Sequence, residues 1–500
     1  MSETIAGLLS VCNAPCLLLM AAGTILGIIF GALPGLSATM GIALCLSLTY
    51  SMSSVEAISL LIGIYIGGIS GGLVSAILIN VPGTASSIAT CFDGHPMAER
   101  GEAGRALGVG LFASLIGTVF SFIVLINLAP TLAKFTLKFG PYEYFAICLF
   151  SLTLIGTLIS GTILKGLASG VLGVLLGCVG VAQVTGTLRF TFGITELSSG
   201  FGSTPAMVGI FAIGAMLSAV MKGFENDGSK IAQYKLHGFG LSKKEIVEQL
   251  PNFLRSALIG TGIGILPGIG GGTSNLVAYG IAKSSSKYPE KFGTGIIDGI
   301  IASETSNNAS IGGALIPLMT VGIPGDTVTA MLLGALTIQG LTPGPLLFKT
   351  DAGFVNGLFA AVLISTIMMV IFEYFGMKPL VKILGVPRYE LLPIVMAICM
   401  VGVFASNNRV FDLWTMLFFG ILGFVLSRFG FPTAPVILGF IIGPYMEQYM
   451  LRAVMVGRGS LMGIFQRPIA VTFLALTVLS VAFTVYKELK AKKAKEETAE

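Results

Sequence analysis

The chain alternates long apolar runs with short polar joints from end to end. Each run of roughly 17 to 25 residues is long enough to cross about 30 Å of hydrocarbon as a helix. The run LFASLIGTVFSFIVLINLA, at 111–129, has none of the polar and apolar alternation of a barrel strand. Because only helices and closed barrels satisfy their backbone in lipid, the pattern predicts an all-α polytopic protein embedded in the bilayer.

Composition and charge refine this prediction. The 500 residues are 54% hydrophobic and 11% charged, which leaves no room for a sizeable soluble domain. Lysines crowd the longest polar segment, 222–250, and the C-terminal tail, and the positive-inside rule predicts that both are cytoplasmic. No basic residue precedes the first apolar run, so we expect an outward N-terminus.

An internal duplication is the most informative feature. GALPGLSATMG at 31–41 is echoed by GILPGIGGGTSN at 264–275, and ISGGLVSAILINVPGTASS at 69–87 by IGGALIPLMTVGIPGDTVT at 311–329. Three shorter matches follow in the same order in both halves. The difference in residue number between matched positions rises from 233 at the first match to 250 at the last. The predicted organisation is a first transmembrane repeat (1–221), a polar linker (222–250), a second repeat (251–450), and a C-terminal helix with a charged tail (451–500). Transporter precedent favours inverted repeats.

Both repeats place Gly, Pro, Ser, Thr and Asn inside apolar runs, where a continuous helix has no use for them. The pattern predicts broken helices or re-entrant hairpins, with about a dozen spans in all. A helix that starts inside the protein offers free N–H groups and a partial positive charge to an anion. The predicted substrate-binding residues are Pro34, Gly35, Ser37, Thr39, Asn80, Pro82, Gly83, Thr84, Ser86, Ser87, Pro267, Gly268, Thr273, Ser274, Asn275, Pro324, Gly325 and Thr327.

Oxygen-bearing side chains also suggest a site for a co-transported cation, Na⁺ or H⁺. The predicted cation-binding residues are Asn275, Asn307, Asn308 and Asp326. Carboxylate and amide oxygens suit a hard cation, and an ionisable side chain within a span is costly and usually functional. The seven cysteines lack metal-ligand spacing, so no resident metal or other cofactor is predicted.

Two other classes of function stay open at this point. A channel or exporter for a small anion would use the same helix ends without a binding protein. Residues 68–72 match G-x-S-x-G, the string of some serine hydrolases, but that string is weak in a chain with 67 glycines. The chain has no P-loop for ATP and no basic and aromatic patch for nucleic acid.

The long motifs around the breaks resemble the large membrane subunit of the tripartite tricarboxylate transporter family, the TctA-type permease. The resemblance is nearly end to end and rests on GALPGLSATMGIAL, GILPGIGGGTSNLVAYGIAK and ETSNNASIGGALIPLMTVGIPGDTVTAMLLGAL, among others. It implies a non-enzymatic symporter of the bacterial inner membrane, which carries citrate or other carboxylates and is driven by a cation gradient. It also implies two partners, a small transmembrane subunit and a periplasmic solute-binding protein.

Overall fold

A computed structural model of the chain describes residues 7, 9–33, 36–158, 163–182, 184–222, 239–268, 270–384 and 388–497. Helices dominate these ranges, and the prediction of an all-α polytopic membrane protein is confirmed. In the described ranges the strands form one short antiparallel pair, β1 (Gly180–Val181) and β2 (Leu188–Arg189).

The helices are numbered along the chain. The first nine are α1 (Ala14–Ala32), α2 (Ala38–Leu46), α3 (Ser54–Ile79), α4 (Ile88–Glu99), α5 (Ala103–Thr136), α6 (Pro141–Leu158), α7 (Ile163–Gly177), α8 (Ser203–Val208) and α9 (Gly214–Lys222). The next ten are α10 (Lys243–Ile265), α11 (Gly270–Ser285), α12 (Ile297–Val321), α13 (Thr327–Ile338), α14 (Leu347–Thr350), α15 (Ala352–Leu384), α16 (Arg388–Asn407), α17 (Val410–Arg428), α18 (Ala434–Val456) and α19 (Pro468–Glu497). Short 3₁₀ turns flank several of them, including Ala85–Ser87 before α4.

Six helices within the described residues are long and apolar enough to cross a membrane. They are α1, α3, α5, α17, the Ala352–Met377 part of α15 and the Pro468–Tyr486 part of α19. Five shorter apolar segments accompany them, including α7, α13 and the Ala38–Ser51 segment that begins with α2. The breaks divide several apolar runs into pieces that are too short to span alone.

Contacts divide the chain into two compact units, and each predicted repeat contributes to both. Unit 1 comprises Met1–Lys134 and Ala219–Ser406, and unit 2 comprises Phe135–Ser218 and Asn407–Glu500. Helix α10 begins within the segment predicted as the linker, because Ser242 and Glu245 form a capping box at its first turn. Within unit 2, Gly173 and Gly177 of α7 pack directly on the backbone of α18.

Glycines bring the long helices of unit 1 into backbone contact. In the first repeat, a Cβ on Gly27 of α1 would collide with the carbonyl oxygen of Ile64 in α3, and one on Gly31 with that of Gly68. Small residues four apart are how membrane helices approach closely. Because Gly27 meets Ile64 and Gly31 meets Gly68, α1 and α3 run parallel.

The same approaches recur in the second repeat at the matched positions. Gly260 of α10 packs on the carbonyl oxygen of Ser306 in α12, and Gly264 packs on that of Ser310. The sequence matches align Gly27 with Gly260, Gly31 with Gly264, and the α3 carbonyls with those of α12. Helices α10 and α12 therefore run parallel, as α1 and α3 do.

We predict that a larger side chain at these glycines separates the packed helices. Gly27→Val and Gly260→Val should each destabilise the protein by about 1–3 kcal/mol, a range typical of overpacking. Gly262→Val is the matched control, because a Cβ at Gly262 has nothing within 4 Å. The measurement is the thermal midpoint of the purified protein in detergent. Equal midpoints for all three variants would contradict the packing role.

Candidate functional site

The helices α3 and α12 end in the same way. Asn80 terminates α3 with φ +54°, and Gly322 terminates α12 with φ +78°. Both are left-handed conformations, which glycine and asparagine adopt most readily. The chain then turns back alongside the helix that has just ended, at Val81-Pro82-Gly83 in the first repeat and at Ile323-Pro324-Gly325 in the second. As a result, Gly83 packs against Gly72, and Gly325 packs against Ala314. The predicted breaks at Pro82 and Pro324 are thus re-entrant turns.

New helical turns begin directly after both re-entrant turns. Asp326 caps α13: Thr329 donates to its Oδ1 from the backbone N–H at 2.7 Å and from the hydroxyl at 2.7 Å. At the matched position, the Thr84 N–H donates to the Ser87 hydroxyl at 3.3 Å. The buried turns therefore present the start of α13, and of the 3₁₀ turn leading into α4, to the interior of unit 1.

The breaks between α1 and α2 and between α10 and α11 lie beside these turns. In the first repeat, Pro34 and Gly35 lie outside the described residues, and Ser37 caps α2 by accepting from the Met40 N–H at 3.2 Å. In the second repeat, Pro267 and Gly268 are buried, and Gly268 adopts φ +80°. The Gly268 N–H donates to the Gly325 carbonyl at 2.8 Å, which joins the two breaks of that repeat.

Two contacts bring predicted residues of opposite repeats together. The Thr39 and Thr327 hydroxyl oxygens lie 3.3 Å apart. The Asn275 amide donates to the Ser86 carbonyl, and to that of Ala85 at 3.4 Å. Four helix starts of unit 1, those of α2, α4, α11 and α13, therefore meet through side chains that the sequence assigned to the substrate site.

The centre of this arrangement is buried, but part of its lining is open. Thr84, Ser86, Ser87, Ser274 and Asn275 are buried. A second set of residues from the same turns retains some exposure, namely Ser37, Ala85, Gly272, Thr273 and Thr327. Hydroxyls and helix starts that remain open within an apolar core suit the binding of a polar solute.

The structure distributes the predicted cation-binding residues over three surroundings. Asn275 and Asn307 lie near Ser86. The Asn275 amide donates to the Ser86 carbonyl, and Asn307 Oδ1 and Ser86 Oγ lie 2.7 and 2.8 Å from the position that a Cβ on Gly271 would occupy. Asn308 faces α5 and donates to the Ser114 hydroxyl at 2.9 Å. The Asp326 carboxylate accepts from the Tyr65 hydroxyl at 2.7 Å, in addition to its bonds from Thr329. The Ser274 hydroxyl lies 3.1 Å from the Gly271 carbonyl oxygen and 3.4 Å from that of Ser306, and neither residue was predicted to belong to the site.

The predicted site residues leave out several buried polar groups of unit 1, although the polar run that begins at Glu304 had drawn attention in the sequence. Tyr65 was not predicted. Its alignment with Asn307, a predicted residue at the matched position of the second repeat, was the signal that could have found it. Glu304 is fully buried and accepts from Thr90 and Ser114. Glu373 is also fully buried and accepts from the Ser70 hydroxyl at 3.0 Å. Glu373 lies in a repeat segment without a matching polar residue, so no pattern pointed to it.

Neither a cavity elsewhere nor a metal-binding cluster contributes to this site among the described residues. A cavity of about 260 Å³ lies in unit 2 beside the Arg189 and Glu447 ion pair, and none of the predicted site residues lines it. Across the described part of the chain, no group of three or more His, Cys, Asp and Glu side chains could hold a metal.

Paired re-entrant turns from two repeats, meeting inside a polytopic helical protein, are an arrangement typical of membrane transporters. The chain belongs to the tripartite tricarboxylate transporter TctA family, whose sequence model matches residues 17–438. This is a family of transporters, so the chain is not an enzyme, and the G-x-S-x-G string around Ser70 is not a catalytic motif.

Two proteins of Agrobacterium vitis are similar to the chain. An uncharacterised 52.8 kDa protein in the TAR-I ttuC' 3' region is 35% identical over 474 residues, which cover 95% of this chain and 94% of the relative. An uncharacterised protein in the TAR-II ttuC' 3' region is 34% identical over 234 residues, which cover 47% of this chain and 97% of the relative. No solved structure matches.

We predict that the two matched capping positions differ in what they do. Asp326→Ala should destabilise the protein by about 2–4 kcal/mol, because it removes a helix cap and leaves the buried Tyr65 hydroxyl without an acceptor. Thr84→Ala should cost less than about 1 kcal/mol, because the buried Thr84 hydroxyl oxygen has no hydrogen-bond partner to lose. Thermal unfolding of the two purified variants measures the difference, and equal losses would refute the distinction.

Proposed function

We propose that the chain is the large permease subunit of a binding-protein-dependent secondary transporter, which imports citrate-like or related carboxylate anions by cation symport. The observation that carries this proposal is the meeting of the helix starts from both repeats, through Thr39 with Thr327 and Asn275 with Ser86. The family supplies the transporter class. The chemistry of the site favours an anion.

The site suits a carboxylate because of its donors. Each helix start carries N–H groups without intrahelical partners and about half a unit of positive charge, which favours bound anions. Thr327 and Thr273 add hydroxyl groups at partly open positions, Thr39 adds a buried hydroxyl, and Thr84 adds a buried one without a partner. Among the described residues, no Lys or Arg forms a hydrogen bond or ion pair with these groups, so backbone dipoles and hydroxyls would hold the anion.

Contacts at the two ends of unit 1 support inverted repeats. At one end, the Gln339 amide just after α13 donates to the Thr49 carbonyl at 2.5 Å, a few residues before α3 begins. At the other end, Arg105 at the start of α5 pairs with Glu245 at the start of α10 at 2.5 Å. Helix α3 would then begin at the first end, and α10 at the opposite end. Since α1 runs parallel to α3, and α12 parallel to α10, the repeats would cross the bilayer in opposite directions.

The charges favour a cytoplasmic location for the end that contains Arg105. Arg100, Lys243, Lys244 and Lys283 lie at the same end as Arg105, as the positive-inside rule requires of a cytoplasmic face. The end with Thr49 and Gln339 would then face the periplasm and receive substrate. By the same rule, the lysine-rich C-terminal tail would lie in the cytoplasm of a bacterium, with the chain in the inner membrane.

The mechanism that follows is alternating access around the fixed central site. The family name describes a tripartite system, and we infer that its other members are a small transmembrane subunit and a periplasmic solute-binding protein that delivers the carboxylate. The anion would enter between the repeats from the periplasmic end. A cation bound nearby would offset its charge before the repeats rock to open the cytoplasmic end.

We expect gradient-driven uptake from the complete system. Proteoliposomes should hold the chain with its small membrane subunit, and radiolabelled citrate and a panel of dicarboxylates should be offered under imposed Na⁺ or H⁺ gradients, with and without the binding protein. Uptake that requires both the binding protein and one gradient supports symport. Flux that ignores the binding protein would favour a channel or exporter, and no flux of any carboxylate would refute the proposal.

The inverted arrangement predicts opposite labelling of two exposed serines. Ser51 lies near Thr49, and Ser284 lies at the end of α11, near the opposite end of unit 1. In a cysteine-free background, Ser51→Cys should react with an impermeant maleimide from the periplasmic side alone, and Ser284→Cys from the cytoplasmic side alone. Labelling of both positions from one side would contradict inversion.

A further inference from the structure

We propose that Asn307, Ser86 and Ser310 form one cation site beside Gly271, and that this site binds the ion whose gradient drives transport. The driving role rests on the proposed function, whereas the site itself can be tested on the purified chain. The inference narrows the predicted cation residues: it retains Asn307, gives Asn275 a positioning role, and assigns Asp326 to capping.

Three oxygens from two elements face one point. A Cβ placed on Gly271 of α11 would lie 2.7 Å from Asn307 Oδ1, 2.8 Å from Ser86 Oγ and 3.0 Å from Ser310 Oγ. Asn307 and Ser310 belong to α12, and Ser86 belongs to the re-entrant turn of the first repeat. Gly271 has no side chain, and the three oxygen atoms therefore converge on its Cα more closely than any side chain would allow.

Buried oxygens without partners lie at this point and next to it. Asn307 is 0% exposed, and its amide oxygen has no hydrogen-bond partner. The amide oxygen of Asn275, one turn further along α11 from Gly271, is likewise buried and unpartnered. Leaving a buried polar group without a partner destabilises a protein, so each such group calls for an explanation. A bound cation would provide the missing partner of the Asn307 oxygen.

The donor set selects the class of ion. Amide and hydroxyl oxygens are hard, neutral ligands, which suit a hard cation of low charge. None of the three donors titrates near neutral pH, so these three groups do not themselves carry a proton. Two described carboxylates lie near the donors. That of Glu304 faces the Asn307 side chain, and that of Asp326 places its Oδ2 3.6 Å from the Cβ position of neighbouring Gly270. The Asp326 carboxylate bonds to Tyr65 and Thr329, and it adds negative charge to the surroundings without joining the donors.

The matched position of the first repeat lacks every component of the site. The sequence matches align Asn307 with Tyr65, Ser310 with Gly68, Ser86 with Val328 and Gly271 with Ala38. The packing confirms this register, because Ala38 meets Gly68 as Gly271 meets Ser310. The Tyr65 hydroxyl satisfies the Asp326 carboxylate at 2.7 Å. The duplicated chain therefore has one such cation site. At the matched position, the hydrogen bond between Tyr65 and Asp326 takes its place.

The site connects the repeats at the substrate turn. Ser86 lies two residues after Thr84, and the Asn275 amide holds the Ser86 carbonyl. A cation that draws Ser86 towards Asn307 would fix the start of α4 against α12. Binding of the cation would thereby organise the helix start that we assign to the anion, which gives a physical reason for coupled binding.

Salt-dependent thermal stability tests the site with Na⁺ as the probe. The full chain in detergent should be titrated with NaCl at constant ionic strength, with choline chloride as the replacement salt. Because a ligand that binds the folded state stabilises it by mass action, the thermal midpoint should rise with Na⁺ along a saturable curve. Asn307→Ala should shift the half-saturating Na⁺ concentration at least tenfold. Gly271→Ala should abolish the rise, because its methyl group would collide with the three donor oxygens and force them apart.

Gly280→Ala is the matched control in the same helix, because a Cβ there has nothing within 4 Å. It should retain the wild-type Na⁺ curve. Ser310→Ala removes one oxygen with little change in volume, and it should weaken Na⁺ binding severalfold even if the first two variants do not fold. A wild-type chain equally stable in both salts, or an Asn307→Ala variant with the wild-type half-saturating concentration, would overturn the site.

The same assays separate this inference from the proposed function. Saturable Na⁺ stabilisation that depends on Asn307 would establish the site even if no carboxylate is taken up. Carboxylate uptake driven by a proton gradient, with no Na⁺ stabilisation, would leave the transporter proposal standing and remove the cation site. A normal Na⁺ requirement for uptake in Gly271→Ala would also remove the site.

Discussion

The structure of unit 1 depends on the cost of interrupting a helix where water cannot reach. A break inside an apolar core frees N–H and carbonyl groups, each of which costs several kcal/mol if unpaired. The chain meets this constraint with local caps. Asp326 binds Thr329, Thr84 binds Ser87, and the Gly268 N–H binds the Gly325 carbonyl. Polar side chains follow the breaks because the backbone requires them, and the same groups then become available to a solute.

Close backbone packing holds these turns in place. The Gly31 carbonyl lies against Gly83, and the Gly264 carbonyl lies against Gly325 at the matched position, 2.6 Å from where its Cβ would be. Only a residue without a side chain fits such a contact. Each re-entrant turn is therefore held against the first long helix of its own repeat, α1 in the first repeat and α10 in the second. The glycine pattern of the long helices and the proline-glycine pattern of the turns are therefore two parts of one packing arrangement.

Most of this arrangement could be predicted from the sequence, because it follows from residue types with few conformational options. Apolar runs predict helices, and Pro82-Gly83 and Pro324-Gly325 predict breaks at matched positions. The partners of individual side chains could not be predicted, since they depend on packing between helices that are far apart in the chain. Asn307 and Asn308 are adjacent and chemically identical, yet one faces Ser86 and the other faces Ser114. A helical periodicity cannot tell which neighbour each side will meet.

The two repeats differ at particular positions, and these positions share a location in the structure. Positions that maintain the backbone, such as Gly31 with Gly264 and Pro82 with Pro324, are the same in both copies. Positions that face the interior of unit 1 differ: Tyr65 opposes Asn307, and Thr84 opposes Asp326. In one pair of contacts the protein satisfies its own carboxylate with a phenol, and at the counterpart it leaves an amide oxygen unpaired. A fold with two equivalent halves can bind a single ion asymmetrically only if the halves differ there. Under the proposed cation site, the residues that depart from the repeat would therefore be the ones that specify the ligand.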